Sequence, residues 1–238
     1  MVLPLNLAMT PSEIAKASDL PPRVAWMSCH FCPFTEGITG IPESLPEGAM
    51  LIVDDRQSCA AHSPDLVVQQ LMNAAARLRF ESILLDFQRP YEAESAAMVK
   101  MITESLPCSV AVTERFAKDL NCPVFLPPCP LDITLQEYFR PWHDREIWLE
   151  AALCQKRITV TKEGTVHTPI FPTESLSGGL YSEKLLCQYR TKISEDNITF
   201  TLFDTPETLE KKLAAAEKFG VCRAVGLYQE LKAFPIGQ

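Results

Sequence analysis

Two patterns alternate along the chain. Short, almost wholly apolar runs recur at 24–28, 49–53, 82–87, 109–113, 123–126, 146–149 and 223–227, as expected of strands buried on both faces. Between them lie stretches with apolar residues at helical spacing: Val67, Leu71, Ala74, Ala75 and Leu78, then Met98, Ile102 and Leu106, and later Leu209, Leu213 and Ala216. Such stripes predict amphipathic helices. The first helix has Ser63 as N-cap, Pro64 at its first position and Asp65 in its first turn. The last opens on Thr205 and Pro206 and stops at Gly220, the expected punctuation at both ends. Buried strands alternating with such helices predict an α/β protein with a parallel sheet. Residues 1–23 read as a lead-in, and 33–48, rich in Gly, Pro and Glu, as a loop without a strand.

After residue 150 the period changes. Strand-like runs at 158–161 and 165–168 flank Lys162, Glu163 and Gly164, and runs at 185–193 and 198–203 flank a polar turn at 194–197. Two hairpins follow from this pattern, so 151–203 reads as a small, mostly antiparallel α+β insertion within a single domain, 1–238. An open doubly wound sheet and a closed (β/α) barrel both fit the remainder. No glycine-rich phosphate loop follows the first strand, which disfavours the dinucleotide-binding open sheet. Nearly every strand ends in polar or ionisable residues, as the mouth of a barrel requires. The expected fold is therefore an irregular or shortened (β/α) TIM-type barrel.

Composition narrows the partners. The 238 residues carry 22 Lys plus Arg against 30 Asp plus Glu, a net charge of −8, and no dense basic run, so neither nucleic acid nor an anionic membrane is the expected partner. No apolar run reaches the ~18 residues a membrane span needs. Nine cysteines, with no basic, apolar leader before them, fit reduced thiols in the cytoplasm. A small-molecule ligand and no cofactor are expected.

The strand ends gather Cys29, His30, Asp54, Asp55, Arg56, Asp86, Gln88, Arg89, Glu114, Glu150, Gln229 and Glu230, with Trp26, Phe31, Phe87, Tyr91, Trp148 and Tyr228 among them. Carboxylates between aromatic rings in a concave site suit saccharides: rings stack on apolar sugar faces and carboxylates supply acid, base or nucleophile. A competing constellation is zinc. Cys29-x-x-Cys32 and Cys59-x-x-His62 both have ligand spacing, although the first pair lacks the glycine-bearing turn of a structural knuckle.

The stretch Phe80-Glu81-Ser82-Ile83-Leu84-Leu85-Asp86-Phe87-Gln88 resembles the signature strand of the family 18 glycoside hydrolases (chitinases and spore-cortex glucosaminidases), Asp-x-x-Asp-x-Asp-x-Glu. Residues 200–213 and 220–231 are similar to that family's ending, so the resemblance covers about 80–231. Residue by residue, the first two aspartates fall on Glu81 and Leu84, the third on Asp86, and the catalytic glutamate on Gln88. The family's barrel-closing Trp falls on Tyr228, and its tyrosine-bearing strand has no counterpart in 124–127. In that family the glutamate protonates the leaving glycosidic oxygen, and an amide has no proton to transfer near neutral pH.

The resemblance thus implies a barrel that binds a saccharide of the N-acetylglucosamine type with little or no hydrolysis. Its candidate chemical positions are Asp86, Gln88, Glu150, Glu230 and Glu114. Its candidate ligand contacts are His30, Asp54, Asp55, Arg56, Arg89, Tyr91, Trp148, Tyr228 and Gln229. If the family's geometry is kept, Gln88 points into the mouth and its amide donates to Asp86. The alternatives are an active hydrolase pairing Asp86 with Glu114, Glu150 or Glu230, or a zinc site built from Cys29, Cys32, Cys59 and His62.

Overall fold

The computed structural model describes residues 3–169, 176 and 178–232. In chain order the strands begin with β1 (Leu5–Met9), β2 (Val24–Phe31), the two-residue β3 (Ile38–Thr39), β4 (Met50–Asp54), β5 (Ser82–Asp86), β6 (Ser109–Thr113), β7 (Val124–Leu126) and β8 (Ile147–Ala151). Five more follow: β9 (Gln155–Thr161), β10 (Gly164–Pro169), β11 (Leu180–Ser182), β12 (Cys187–Ile193) and β13 (Asn197–Phe203). The chain then returns as β14 (Val221–Leu227). Eight of these are parallel neighbours in a closed ring, β1-β2-β4-β5-β6-β7-β8-β14. Closure is made by β1, which pairs with β14 at Leu7↔Gly226 and with β2 at Ala8↔Ala25. The fold is a (β/α) barrel of the TIM type with an added antiparallel sheet.

The shortening expected from the sequence does not occur, because the supposed lead-in supplies β1 and the helix α1 (Pro11–Lys16). That helix is started by a capping box: Thr10 accepts from the Glu13 N–H, while Glu13 Oε2 accepts from the Thr10 N–H at 2.7 Å, satisfying two orphan donors together. The barrel is irregular in one place. Between β2 and β4 no helix forms; β3 instead folds back antiparallel on β2, pairing Thr39 with His30. Elsewhere the connections are helical: α2 (Pro64–Leu78), α3 (Ala93–Ser105), α4 (Glu114–Ala117), α5 (Leu135–Phe139) and α6 (Pro206–Ala216), with α7 (Tyr228–Leu231) after the last strand. None of the described helices is long and apolar enough to cross a membrane.

Alternation along each strand divides the core in two. Ala8, Ala25, Met50, Ile52, Leu84, Ala111, Phe125, Trp148 and Val225 fill the inside of the ring. Their neighbours, such as Leu51, Ile83, Val112 and Leu149, face outward onto Val67, Leu71, Val99 and Ile102 of the helices. The lower end is plugged by polar contacts. The Arg223 guanidinium lies 4.8 Å from the centre of the Trp148 ring, donates to Ser82 Oγ at 2.9 Å and pairs with Glu81.

The added sheet runs β10-β9-β13-β12-β11 and is antiparallel throughout. Its two hairpins turn at Thr161↔Gly164 and Ile193↔Ile198. Within 151–203, residues 170–175 and 177 lie outside the described residues. Leu131, Cys187 and Leu202 pack together between sheet and barrel, and Lys156 Nζ meets Asp132 Oδ2 at 2.6 Å.

Candidate functional site at the barrel mouth

The inward-facing positions above the apolar interior carry the chemistry. Asp86 stands two residues beyond Leu84 on β5, Asp54 two beyond Ile52 on β4, and Glu150 two beyond Trp148 on β8, so the strand period that buries the apolar residue also aims the carboxylate into the ring. Asp54 and Asp86 are register partners, and His30 is the partner of Asp54 on the other side. The mouth thus carries acids from the adjacent ends of β4 and β5 and, across two intervening strands, from β8.

Asp54 is compensated by Arg56, whose Nη2 and Nε approach its Oδ2 at 2.6 and 2.9 Å while the Arg56 N–H donates to Oδ1 at 3.1 Å. Gln88 Nε2 donates to Asp86 Oδ1 at 2.5 Å, so Gln88 faces the mouth and lies against Asp86. Burial, with the charges of Asp54 and Asp55, raises the Asp86 pKa against the lowering effect of that hydrogen bond. Glu150 is pushed up from 4.5 to about 7, first by burial and then by the charges of Asp86 and Glu230. A carboxyl in such surroundings holds its proton close to neutral pH.

Asp55 does something else. Only 4% exposed, it turns away from the mouth, its Oδ1 accepting from the Gln88 N–H at 2.7 Å and its Oδ2 from the Arg89 N–H at 3.0 Å. Behind Glu150 a cleft is lined by Cys129, Leu149, Cys154, Asp204 and Lys212. There Lys212 Nζ is bound to both Asp204 oxygens at 2.7 and 2.9 Å. That pair is buried and anchors α6 to the end of β13.

Several expected contacts are elsewhere. Trp148 is 1% exposed inside the lower ring, its indole N–H donating to Glu146 Oε1 at 3.1 Å. Being one layer beneath Glu150, it is walled off from a ligand at the mouth, and its assignment as a contact is corrected. Phe87 is fully buried on the outer side, edge-on to Phe31 and Phe116. Tyr91 is exposed but stacked on Phe116 at 5.4 Å. Tyr228 lies under Lys232, whose Nζ is 5.7 Å from its ring centre, and Gln229 reaches Glu13. His30, by contrast, stays beside Asp54, half-buried with Nδ1 3.1 Å from the Ser28 carbonyl. Glu114 is exposed at the start of α4.

Zinc finds no site. Among the described residues no group of three or more His, Cys, Asp or Glu side chains converges. His62 Nδ1 accepts the Gly37 N–H at 2.8 Å, and Cys29 is buried with Sγ 3.6 Å from the Gly40 carbonyl. The local hairpin uses these groups for itself. One residue absent from the sequence reading stands near the mouth: Tyr138, on α5, whose hydroxyl donates to the Pro127 carbonyl at 2.6 Å. Burial raises its pKa, and the charges of Glu114 and Glu150 act in the same direction. No signal in the chain marks it, because in 135–139 it reads as one more packing residue.

No protein-family model matches the chain, and no curated protein does either. Solved structures do. The spore cortex-lytic enzyme SleL of Bacillus cereus superposes with a TM-score of 0.54 at 11% identity, over 98% of this chain and 72% of that one. The C-terminal domain of a putative chitinase from Desulfitobacterium hafniense gives 0.53 at 10% identity, over 96% and 94%. A variant family 18 chitinase from Cycas revoluta, solved in complex with (GlcNAc)4, gives 0.54 at 11% identity, over 94% of each chain. The chain has the fold of the family 18 glycoside hydrolases. The segment that resembles the family's signature runs along β5 to the mouth, where Asp86 and Gln88 are joined by their hydrogen bond.

Proposed function

We propose that the chain is a saccharide-binding barrel for N-acetylglucosamine-type sugars, with little or no hydrolysis by the family's usual route. One observation carries this reading: the Gln88 amide donates to Asp86 at 2.5 Å at the position where the resemblance expects a carboxylic acid. An amide there orders the neighbouring carboxylate and hydrogen-bonds a sugar, but it has no proton to deliver to a leaving oxygen. Asp54, Asp86 and Glu150 offer acceptors for sugar hydroxyl and amide N–H groups, and His30, Arg56, Arg89 and Glu230 complete the rim. The (GlcNAc)4 bound to the Cycas chitinase supports the ligand class. All nine cysteines are free thiols, which supports a reducing compartment, the cytoplasm. Calorimetry with chitin oligomers and muropeptide fragments tests the reading, and an absence of binding across that panel removes it.

A second reading has its own support. Glu150, raised to about 7 beside Asp86, is a carboxyl suited to general acid work near neutrality. In that case hydrolysis of an aryl glycoside disappears in Glu150→Gln and persists in Gln88→Ala.

A further inference from the structure

The turn after β5 is held by side chains from the neighbouring strand ends. Residues 87–89 belong to no helix or strand, and Gln88 and Arg89 are exposed, so their peptide groups would ordinarily be left to water. Instead, Thr113 Oγ1 donates to the Phe87 carbonyl at 2.9 Å. A single Arg115 nitrogen, Nη1, donates to the Gln88 and Arg89 carbonyls at 2.8 and 2.5 Å. Asp55 accepts the next two N–H groups, one on each oxygen, at 2.7 and 3.0 Å. The carbonyls of Phe87, Gln88 and Arg89 and the N–H groups of Gln88 and Arg89 are thus all partnered, by Asp55 just after β4, Thr113 at the end of β6 and Arg115 on α4.

We propose that Asp55 and Arg115 form a clamp that sets the 87–89 turn before any ligand arrives, making Asp55 a positioning residue rather than a sugar contact. The geometry requires a carboxylate in particular. Both donors of the turn point at it, and only Asp or Glu presents two acceptor oxygens without a donor. Ordering a mobile turn at the moment of binding subtracts from affinity, so a turn fixed in advance retains it. The functional half of this inference rests on the saccharide reading above; the structural half does not.

Amide hydrogen exchange on the ligand-free protein, followed by NMR, tests the clamp directly. The Gln88 and Arg89 amides exchange about a hundredfold more slowly than unstructured amides, although they sit in an exposed turn. In Asp55→Asn, which has the same size but points an NH2 group at one of the two donors, that protection is lost and the Kd for (GlcNAc)4 rises about tenfold. A space-filling role for Asp55 predicts that the Asn variant keeps both properties, and that result overturns the clamp. So does fast exchange of the two amides in the wild type, a measurement that stands even where the variant fails to fold. Loss of protection with unchanged affinity overturns the functional half alone. If (GlcNAc)4 does not bind the wild type, the saccharide reading fails, while the exchange data still decide the clamp.

Discussion

Glu150 makes the electrostatics of the mouth measurable through stability. Its pKa stands at about 7 in the folded chain against an ordinary 4.5, because burial and the charges of Asp86 and Glu230 disfavour the carboxylate. A folded-state pKa above the unfolded one means that the folded protein binds the extra proton between those two values. The stabilisation is therefore complete below pH 4.5 and is lost as pH rises through about 7. A shift of that size corresponds to about 3 kcal/mol at pH 8 and above. Glu150→Gln removes the ionisation while keeping the shape. Near pH 4.5 the variant and the wild type should melt together. At pH 8.5 the variant should melt higher, by about 6–10 °C for a chain of this length. Thermal melts of both proteins at half-unit steps from pH 4.5 to 8.5 read the effect as a widening gap. A gap that stays constant across that range refutes the argument, since it would mean that Glu150 ionises in the folded protein as it does in the unfolded chain.

Gln88→Glu places a second carboxyl against Asp86, where like charges raise the pKa of one member of the pair; weak activity on a chitooligosaccharide reporter should appear, and complete inactivity between pH 4 and 8 would count against the signature reading of Gln88. Lys212→Met leaves Asp204 buried without its partner and should lower stability by about 3–5 kcal/mol in urea titration, whereas an unchanged midpoint would show that water reaches the pair. Trp148→Ala should cost about 3–5 kcal/mol as a cavity in the lower ring and leave the intrinsic affinity for (GlcNAc)4 unaltered; selective loss of affinity in a still-folded variant would put Trp148 back at the mouth.

Much of this architecture was legible wherever local chemistry and tertiary demand agree. Ser63, Pro64 and the Val67/Leu71/Leu78 stripe mark α2, which spans Pro64–Leu78, and both hairpins of the added sheet form around the turns their polar residues announce. The strand β1 is not legible in this way, because five residues carry too little period to separate a strand from an apolar lead-in. Its signal lay one step downstream, in the Thr10–Glu13 capping box. The two-residue β3 has no period at all. At the site, the acids of the mouth followed from strand ends, but side-chain direction did not. Counting by twos from Glu150 places Trp148 on the same inward face and one layer deeper, which is where it lies. The same count turns Asp55 away from the mouth that Asp54 faces. Tyr138 and Arg115 depend on how loops fold over the rim, and no local pattern carries that information.

Whether the mouth binds an N-acetylglucosamine-type saccharide without cutting it is read by titration calorimetry of (GlcNAc)4 into the wild-type protein, with reducing ends counted in the same sample after incubation. A binding but non-cleaving mouth gives a saturable heat, lost in Asp86→Ala, and no new reducing ends. No heat with (GlcNAc)4 or with muropeptide fragments contradicts the binding claim, and a steady release of reducing ends contradicts the claim that Gln88 has silenced the usual chemistry.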